Sequence, residues 1–425
     1  MYYFLTILFM LVSSRANFIS YIEAFPIIIS GIFFVAGVQL RRFTESDFRL
    51  FAKFAVVYLV FITVRFLFLN NVGSFFYFSD LSFLFKRILF AFLYCAVLKE
   101  KAVEYFAKII VHGAMVSLFF YPLQLINGPM VFALGSAIHL PPRVGNPEYT
   151  NFLIFTYDGG HHIRNCGFAW EPGAWGCYIV MGLLLHFLLN RFKMDKHAWI
   201  LVISGITTLS TTAYLGLLCV FLLYYRVRGG KLLPFLVIAV PILAVVATQL
   251  PFLLDKIEKT YSGDMHDISS LDELAGWYDK TGEGEIHLNR FGSAIILWNL
   301  FRWKLIWGIS NGYQGVTPVL HNVNISNGDV DFFAKFGVVG FIYLMHKYIL
   351  LLKSFIHKNE YMIYCVLIII VLAFGEPMLI FNFTMAFLFL YHYVSPETLG
   401  WNEEEEDEDE IEEVEYDNLS LKNSN

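Results

Sequence analysis

The stretch RNCGFAWEPGAWGCYIVMGLLLHFLL, residues 164–189, joins a group of charged and aromatic side chains to a long apolar run. It places an arginine, a glutamate, a proline and two tryptophans at the start of a segment apolar enough to cross a bilayer. A charge close to a bilayer is costly unless it is solvated, paired or used by the protein. The stretch therefore predicts a membrane helix with a polar group at its mouth.

Apolar runs of this kind recur along the whole chain of 425 residues, 57% of which are hydrophobic, and the mean hydropathy is +0.59. Because a membrane helix needs about 20 mostly apolar residues, we predict an all-α, polytopic bundle of about twelve transmembrane helices. The predicted spans are residues 2–15, 24–40, 50–69, 82–98, 104–126, 173–190, 198–209, 211–225, 232–250, 331–352, 360–375 and 378–394.

Basic residues orient this bundle, because connections rich in Lys and Arg stay in the cytoplasm. They fall in alternate connections, namely Arg41, Arg42 and Arg49; Lys99 and Lys101; Arg191, Lys193 and Lys196; Arg226, Arg228 and Lys231; and Lys353 and Lys358. The connection 70–81 and two long loops, 127–172 and 251–330, then lie on the outer face. Loops this long in a compact domain are usually functional.

The chain divides into a membrane domain, residues 1–402, and a short acidic tail, residues 403–425. The tail has twelve Asp or Glu between Glu403 and Asp417 and a net charge of −11, against +5 for the rest of the chain. Such a composition predicts a disordered segment, and the alternation of the helices places it in the cytoplasm. It is either a solvated tail that opposes aggregation or a docking site for a basic partner.

The first outer loop ends in a cluster of candidate site residues. Glu171 precedes a Pro and a Gly, which marks a helix start and gives Glu171 a possible capping role. Trp170 and Trp175 fit the aromatic belt at a membrane interface, and Arg164 fits a snorkelling cation. Together with Gly167 at its fixed spacing, however, these residues indicate a site.

The second outer loop carries most of the outward acidic residues, which we interpret as a solvated lid. After Arg290 the pattern predicts an amphipathic helix at the membrane surface. His321 and its neighbour Asn322 follow on the outer face, and His321 is either an ordinary loop histidine or a base that works near neutral pH. The predicted apolar stripe of this helix is Phe291, Ala294, Ile295, Trp298, Phe301 and Leu305.

We predict no metal site and no cofactor. The pair His161–His162 lacks a third ligand at a fixed spacing, and the five Cys residues show no metal-binding spacing. Asp329-Val330-Asp331 resembles the DxD of nucleotide-sugar transferases, but it stands where a helix begins and Asp is a preferred cap.

Four pieces of the chain together resemble the superfamily of O-antigen ligases and Wzy-type polysaccharide polymerases, which are polytopic membrane glycosyltransferases of the GT-C class. The resemblance covers roughly residues 150–350. The pieces, in chain order, are Arg164-x-x-Gly167-x-x-x-Glu171-Pro172; Leu209-Ser210-Thr211-Thr212-Ala213-Tyr214; Asn289-Arg290 with Trp307-Gly308; and His321-Asn322 with Gly337-Val338-Val339-Gly340. The second piece departs from the family, which often has a Ser-Arg pair where Thr211-Thr212 stands.

The resemblance implies transfer of glycan from undecaprenyl pyrophosphate at the outer, periplasmic face of a bacterial inner membrane. Arginine suits a pyrophosphate because it is always charged and binds phosphate with two parallel donors. Arg164 and Arg290 are the candidates for this role, with Trp170 and Asn322 beside the substrate. Arg65 and the pair Lys86-Arg87 either face the lipid phosphate or snorkel.

The acceptor hydroxyl would then attack the anomeric carbon and invert its configuration without a metal. His321 is the first candidate for the general base and Glu171 the second. A polymerase that joins repeat units is favoured over a ligase that moves finished glycan to lipid A core. The expected partners are the lipid-linked donor, the glycan acceptor and the bilayer, with a flippase or chain-length regulator as further candidates, and no nucleic acid.

A transporter or flippase of lipid-linked or anionic solutes is the alternative from another class. It would use the same membrane cations. Transporter sites lie near the midplane, often between internal repeats, whereas the polar groups here gather in outer loops and no repeat is visible. Glu376-Pro377 is the nearest feature to a broken helix, and we interpret it as a short outer turn between the last two helices.

Overall fold

The computed structural model describes residues 1–22, 24–70, 73–138, 148–228, 262, 286–288, 290–317, 320, 323–356 and 358–399. The described residues are mostly helical. The helices are α1 (Tyr2–Ser13), α2 (Phe18–Tyr21), α3 (Ala24–Gln39), α4 (Glu45–Val64), α5 (Ser74–Phe83), α6 (Leu89–Leu98), α7 (Lys101–Ala137), α8 (Pro172–Leu189), α9 (Lys196–Thr207), α10 (Thr211–Val227), α11 (Arg290–Phe301), α12 (Gly328–Leu352), α13 (Asn359–Gly375) and α14 (Asn382–Leu390).

Four short strands form two small sheets beside the helices. Strands β1 (Tyr149–Asn151) and β2 (Thr156–Asp158) pair antiparallel, and β3 (Ile286–Leu288) and β4 (Val323–Ile325) pair in parallel. The prediction of an all-α fold is confirmed in its main feature, since the strands are three residues each and belong to the two long connections.

Five of the described helical segments are long and apolar enough to cross a membrane: Glu45–Phe68, Ser74–Leu98, Lys101–Ala137, Pro172–Leu189 and Gly328–Leu352. The shorter apolar helices α1, α3, α10 and α13 accompany them. The bundle of twelve spans is therefore confirmed only in part. The predicted span 232–250 and the acidic tail 403–425 lie outside the described residues.

Helix α7 is longer than the sequence predicts. The loop was expected to begin at Asn127, but α7 continues to Ala137 across a kink at that residue, where φ is −150° and ψ is 75°. The Asn127 side chain accepts a hydrogen bond from the Met130 backbone N–H at 3.1 Å, so it caps a new helical segment. Asn-Gly-Pro here bends a helix and restarts it.

Helix α8 is the centre of the bundle. Nearly all of its residues are buried, and α7, α9 and α10 pack around it. Helices α8, α10 and α12 begin at one end of the bundle, which we call the site end, and α13 finishes there because Gly375 packs against Thr212. At the opposite end Arg226 pairs with Glu360 at 3.3 Å.

Arg65 stabilises a break in α12. Gly337 interrupts this helix with φ of +75°, and a Cβ on Gly308 would lie 2.5 Å from the Gly337 backbone N. Arg65 is 1% exposed, forms an ion pair with Asp80, and donates to the carbonyls of Lys335 at 2.6 Å and Trp307 at 3.5 Å. It thus satisfies carbonyls freed at the break. Because its guanidinium is used in this way, we leave it out of the substrate site for which the sequence suggested it.

Helix α11 lies where the sequence predicts an amphipathic segment. Its buried face consists of Ser293, Ile296, Leu297 and Phe301. Within the predicted stripe, Phe291 is 51% exposed and Trp298 is 61% exposed, whereas Phe301 and Leu305 are buried in the protein. The small polar side chain of Ser293 packs inward, where its Oγ accepts the Ser326 N–H at 3.1 Å.

Candidate functional site

Arg164 is held at the site end by the backbone around it. Its Nε donates to the Thr208 carbonyl at 3.0 Å, and its own carbonyl accepts from Gln124 Nε2 at 3.0 Å. The neighbouring Asn165 is fully buried and donates to Ser117 and Thr207, at 3.1 and 2.9 Å. Arg164 is half-buried, and among the described residues no acceptor binds its two terminal nitrogens, which leaves them available to an anion.

Gly167 explains the spacing of this motif. Its φ is +50°, and a Cβ at this position would lie 2.3 Å from the Trp175 indole. Trp175 is fully buried and donates through Nε1 to Ser204 at 3.2 Å. Glycine is therefore required both by the backbone conformation and by the close approach of the ring. Trp175 belongs to the core and not to an interfacial belt.

Glu171 and Glu376 form a hydrogen-bonded pair of carboxyl groups. Glu171 occupies the N-cap position of α8, but its side chain makes no capping hydrogen bond. It bonds instead to Glu376, which is 6% exposed. Burial, followed by the charge of Glu171, raises the pKa of Glu376 well above its usual value. A hydrogen bond between two carboxyl groups requires a proton on one of them.

Glu376 occupies a buried turn. The sequence predicted a short outer turn here, and the turn exists, but Met378, Leu379 and Ile380 are buried with Glu376. A Cβ on Gly173, in the first turn of α8, would lie 2.0 Å from Glu376 Oε1. The carboxyl group thus rests directly on the N-terminus of α8, whose dipole favours a negative charge.

Arg290 completes the group, which we call the carboxylate–arginine cluster: Arg164, Glu171, Arg290 and Glu376. Arg290 donates to the Gly375 carbonyl through Nε at 3.2 Å and Nη2 at 3.1 Å. Asn327 in turn donates to the Arg290 carbonyl at 3.1 Å. Both arginines lie within electrostatic reach of Glu376 and oppose the rise of its pKa.

This cluster has the parts of a transfer site. Two half-buried guanidinium groups can bind a phosphate and stabilise charge that develops on a leaving group. Two carboxyl groups that share a proton can take another from an attacking hydroxyl. The helices α8, α10 and α12 begin around them, so their dipoles add positive potential.

A second group of charges, which we call the cation cluster, consists of Arg15, Arg87 and Lys335. Arg15 and Arg87 lie within electrostatic reach of Lys335, which is paired with Asp331 at 2.6 Å. Arg15 stacks 5.3 Å from the centroid of the Phe381 ring, and Arg87 donates to Asn382 Oδ1 at 3.4 Å. Asn382 Nδ2 is buried and finds no acceptor among the described residues. The two clusters meet at the segment around Phe381, whose ring also contacts Trp170.

An apolar groove lies between α4 and α12. Phe332 and Phe336, which line it, lie on either side of Lys335 in the sequence, and Ile88 follows Arg87. The groove contains about 140 Å³ of accessible space. It is lined by Phe54, Val57, Tyr58, Phe61, Phe83, Ile88, Phe332, Phe336, Val339, Gly340, Tyr343, Leu344, Met385 and Leu388.

The other residues predicted for the site lie in different places. Arg87 belongs to the cation cluster. Trp170 is 6% exposed and packs edge-on to Phe381, with ring centroids 5.2 Å apart. Asp331, considered for metal binding, accepts from Tyr313 and Lys335 at 2.9 and 2.6 Å. Its suggested capping role is wrong, because Asn327 caps α12. His321 and Asn322 lie outside the described residues.

The sequence did not predict three residues of the two clusters as site residues: Glu376, Arg15 and Lys335. Glu376 carried one signal, since a glutamate followed by proline between two apolar runs is an acidic group at a helix end. Arg15 and Lys335 stood at the ends of predicted spans, where basic residues are ordinary.

Comparisons of this chain with models of protein families, with curated proteins and with solved structures each found no match.

Proposed function

We propose that the protein is a membrane glycosyltransferase that joins oligosaccharide repeat units carried on a lipid pyrophosphate, as Wzy-type polymerases do. The observation that carries the proposal is the meeting of Arg164, Glu171, Arg290 and Glu376 at the site end. They come from three separate parts of the chain, and all four are half-buried or buried. Charged groups so placed at a membrane helix end usually serve a function.

The reaction assigns a role to each member of the carboxylate–arginine cluster. The acceptor hydroxyl oxygen forms a bond to the anomeric carbon of the donor, and the bond from that carbon to the pyrophosphate oxygen breaks. The electron pair leaves on the pyrophosphate, which Arg164 and Arg290 stabilise. The hydroxyl proton passes to the carboxyl pair through its deprotonated member. Direct displacement inverts the anomeric configuration, and this chemistry assigns no step to a metal ion.

The groove supports a lipid-linked substrate over a soluble one. A polyprenyl chain is apolar, and its charged headgroup needs cations where the chain enters the membrane. The groove is almost wholly apolar, and two residues of its lining, Ile88 and Phe336, are sequence neighbours of Arg87 and Lys335 in the cation cluster. The exposed Phe291 and Trp298 of α11 suit a position at the lipid surface.

The distribution of basic residues supports a site that faces outward, across a bacterial inner membrane into the periplasm. The basic connections after α3, α8 and α10 are at the opposite end, and the positive-inside rule assigns that end, with the acidic tail, to the cytoplasm. Below the clusters α8 is packed on all sides with apolar residues, which disfavours a transport path along it.

The proposal is tested with purified protein reconstituted in vesicles that contain lipid-linked repeat units. We expect lipid-linked chains of several repeats, analysed by gel and mass spectrometry. Transfer to added lipid A core without chain growth would make the protein a ligase. Movement of unchanged donor across the bilayer would make it a transporter and overturn the proposal.

A further inference from the structure

Two histidines and an aspartate meet at the opposite end of α8, away from both clusters. His186 in the last turn of α8 places Nε2 2.9 Å from Asp195 Oδ1, and His197 Nδ1 lies 3.5 Å from Asp195 Oδ2. The three ligand atoms all lie within 4.8 Å of one another. The side chains are 15%, 40% and 36% exposed, in chain order, so solvent ions reach them.

The hydrogen bonds around His186 favour a cation at this point. Asn190 is fixed, because its Oδ1 accepts the Lys193 N–H at 3.1 Å and its Nδ2 donates to the Lys193 carbonyl at 2.9 Å. The same Nδ2 lies 3.1 Å from His186 Nε2, which favours the tautomer with a lone pair on that nitrogen. A cation bound by this lone pair takes the place of the Asn190 hydrogen bond and lies beside the Asp195 carboxylate.

The carboxylate is already oriented for this purpose. Asp195 caps α9, and its Oδ1 accepts the Ala198 N–H at 2.9 Å. A ligand held by a backbone hydrogen bond loses little freedom when a metal binds. In a tetrahedral zinc site, ligands about 2.0–2.1 Å from the metal stand roughly 3.4 Å apart, so small side-chain rotations bring these three atoms into place.

We propose that His186, Asp195 and His197 bind one divalent transition-metal ion, for which Zn²⁺ has the best-matched chemistry, with water in the fourth position. Bound there, the ion joins the C-terminal end of α8 to the N-terminal end of α9. It is a structural clamp, and it is independent of the glycosyltransferase proposal because it lies at the other end of α8 from Glu171.

The test uses the full chain, purified in detergent, stripped with chelator and dialysed against micromolar Zn²⁺. We expect about one zinc per chain by elemental analysis, visible absorption bands when Co²⁺ replaces it, and a higher unfolding temperature with Zn²⁺ than without. His197→Gln and His186→Gln should each lose the bound metal and the thermal shift. His392→Gln changes an exposed histidine outside the group and should keep both.

Retention of zinc by both His186→Gln and His197→Gln at the wild-type level would overturn the proposal, as would a wild-type chain that binds no zinc. His197 is half-exposed and at a helix start, so its variant keeps the fold. Its thermal midpoint without metal should match that of the stripped wild type, which separates loss of metal from loss of structure.

Discussion

Glu376 shares a hydrogen bond with Glu171, which stands at the N-cap of α8, and both Arg164 and Arg290 lie within electrostatic reach of Glu376. Two carboxyl groups in such contact cannot both be charged without a large cost, so one of them keeps a proton. The pair is the feature on which the proposed chemistry depends.

Glu376→Gln should change how stability depends on pH. The raised pKa of Glu376 means that its contribution to stability is fully present below the usual glutamate pKa of about 4.3, and that it is lost as pH rises toward the native value. Glutamine resembles the protonated carboxyl group and does not titrate. The unfolding temperature of Glu376→Gln should therefore exceed that of wild type by more at about pH 8 than at about pH 5.

The matched control is Glu360→Gln, which changes an exposed glutamate at the opposite end of α13. Its difference from wild type should not grow with pH. A constant difference for Glu376→Gln over the same range would show that Glu376 is charged in the native protein. Turnover by Glu171→Gln should fall by about 10²–10⁴, the usual contribution of a general base, because Glu171 is the deprotonated member of the pair.

Arg164→Lys and Arg290→Lys should each lower kcat by about 10²–10³, although the positive charge remains. Lysine cannot offer two parallel donors to phosphate, and it cannot replace the Nε contacts with the carbonyls of Thr208 and Gly375. Arg226→Lys changes an exposed ion pair and serves as the control, and its kcat should stay close to that of wild type. Wild-type turnover in Arg164→Lys would remove that residue from the proposed mechanism.

Val57→Trp should fill part of the apolar groove and raise the KM for lipid-linked donor at least about tenfold, a loss of about 1.4 kcal/mol of binding. Val56→Trp is the matched control, because Val56 is as exposed as Val57 but does not line the groove. Steady-state kinetics in mixed micelles measures both. Equal KM values for the two variants would exclude the groove as the lipid site.

Gly167→Ala should destabilise the protein by about 1–3 kcal/mol, because the residue has φ of +50° and a Cβ would meet the Trp175 ring. Gly31→Ala makes no contact within 4 Å and should leave stability unchanged or slightly higher. Thermal unfolding in detergent compares the two. A stable Gly167→Ala would mean that the segment before α8 adopts another conformation.

Chelator should leave turnover unchanged at temperatures well below unfolding, because the reaction assigns no step to a metal and the proposed metal clamp lies far from the carboxylate–arginine cluster. Assays with and without a strong chelator measure this. Loss of turnover that added divalent metal restores would return Asp329 and Asp331 to consideration as ligands.

The sequence predicted the helices well where apolar runs were long and ended in clear signals. Glu171-Pro172-Gly173 marked the start of α8, and α8 begins at Pro172. The sequence did not predict that α7 continues past Asn127, because a capping side chain can begin a new helical segment as well as end one. The sequence also did not show that Ser293 of α11 faces inward, because its partner Ser326 lies 33 residues further along the chain.

The candidate site was harder to predict from the sequence. Arg164, Glu171 and Arg290 were chosen from local patterns, and the structure brings them together. Glu376 was missed because its importance arises from a contact with Glu171 across the bundle, which no local pattern reveals. The sequence likewise did not show that Arg65 binds backbone carbonyls inside the protein, because its acceptors Trp307 and Lys335 are distant in sequence.

The most direct test of the central claim is to measure lipid pyrophosphate release and glycan length together, in one reaction of purified protein with lipid-linked repeat units. We expect one free lipid pyrophosphate for each new glycosidic bond in wild type, and loss of both products together in Arg164→Lys and Glu171→Gln. Chain growth that continues in both variants, or donor that crosses the bilayer with its pyrophosphate bond intact, would contradict it.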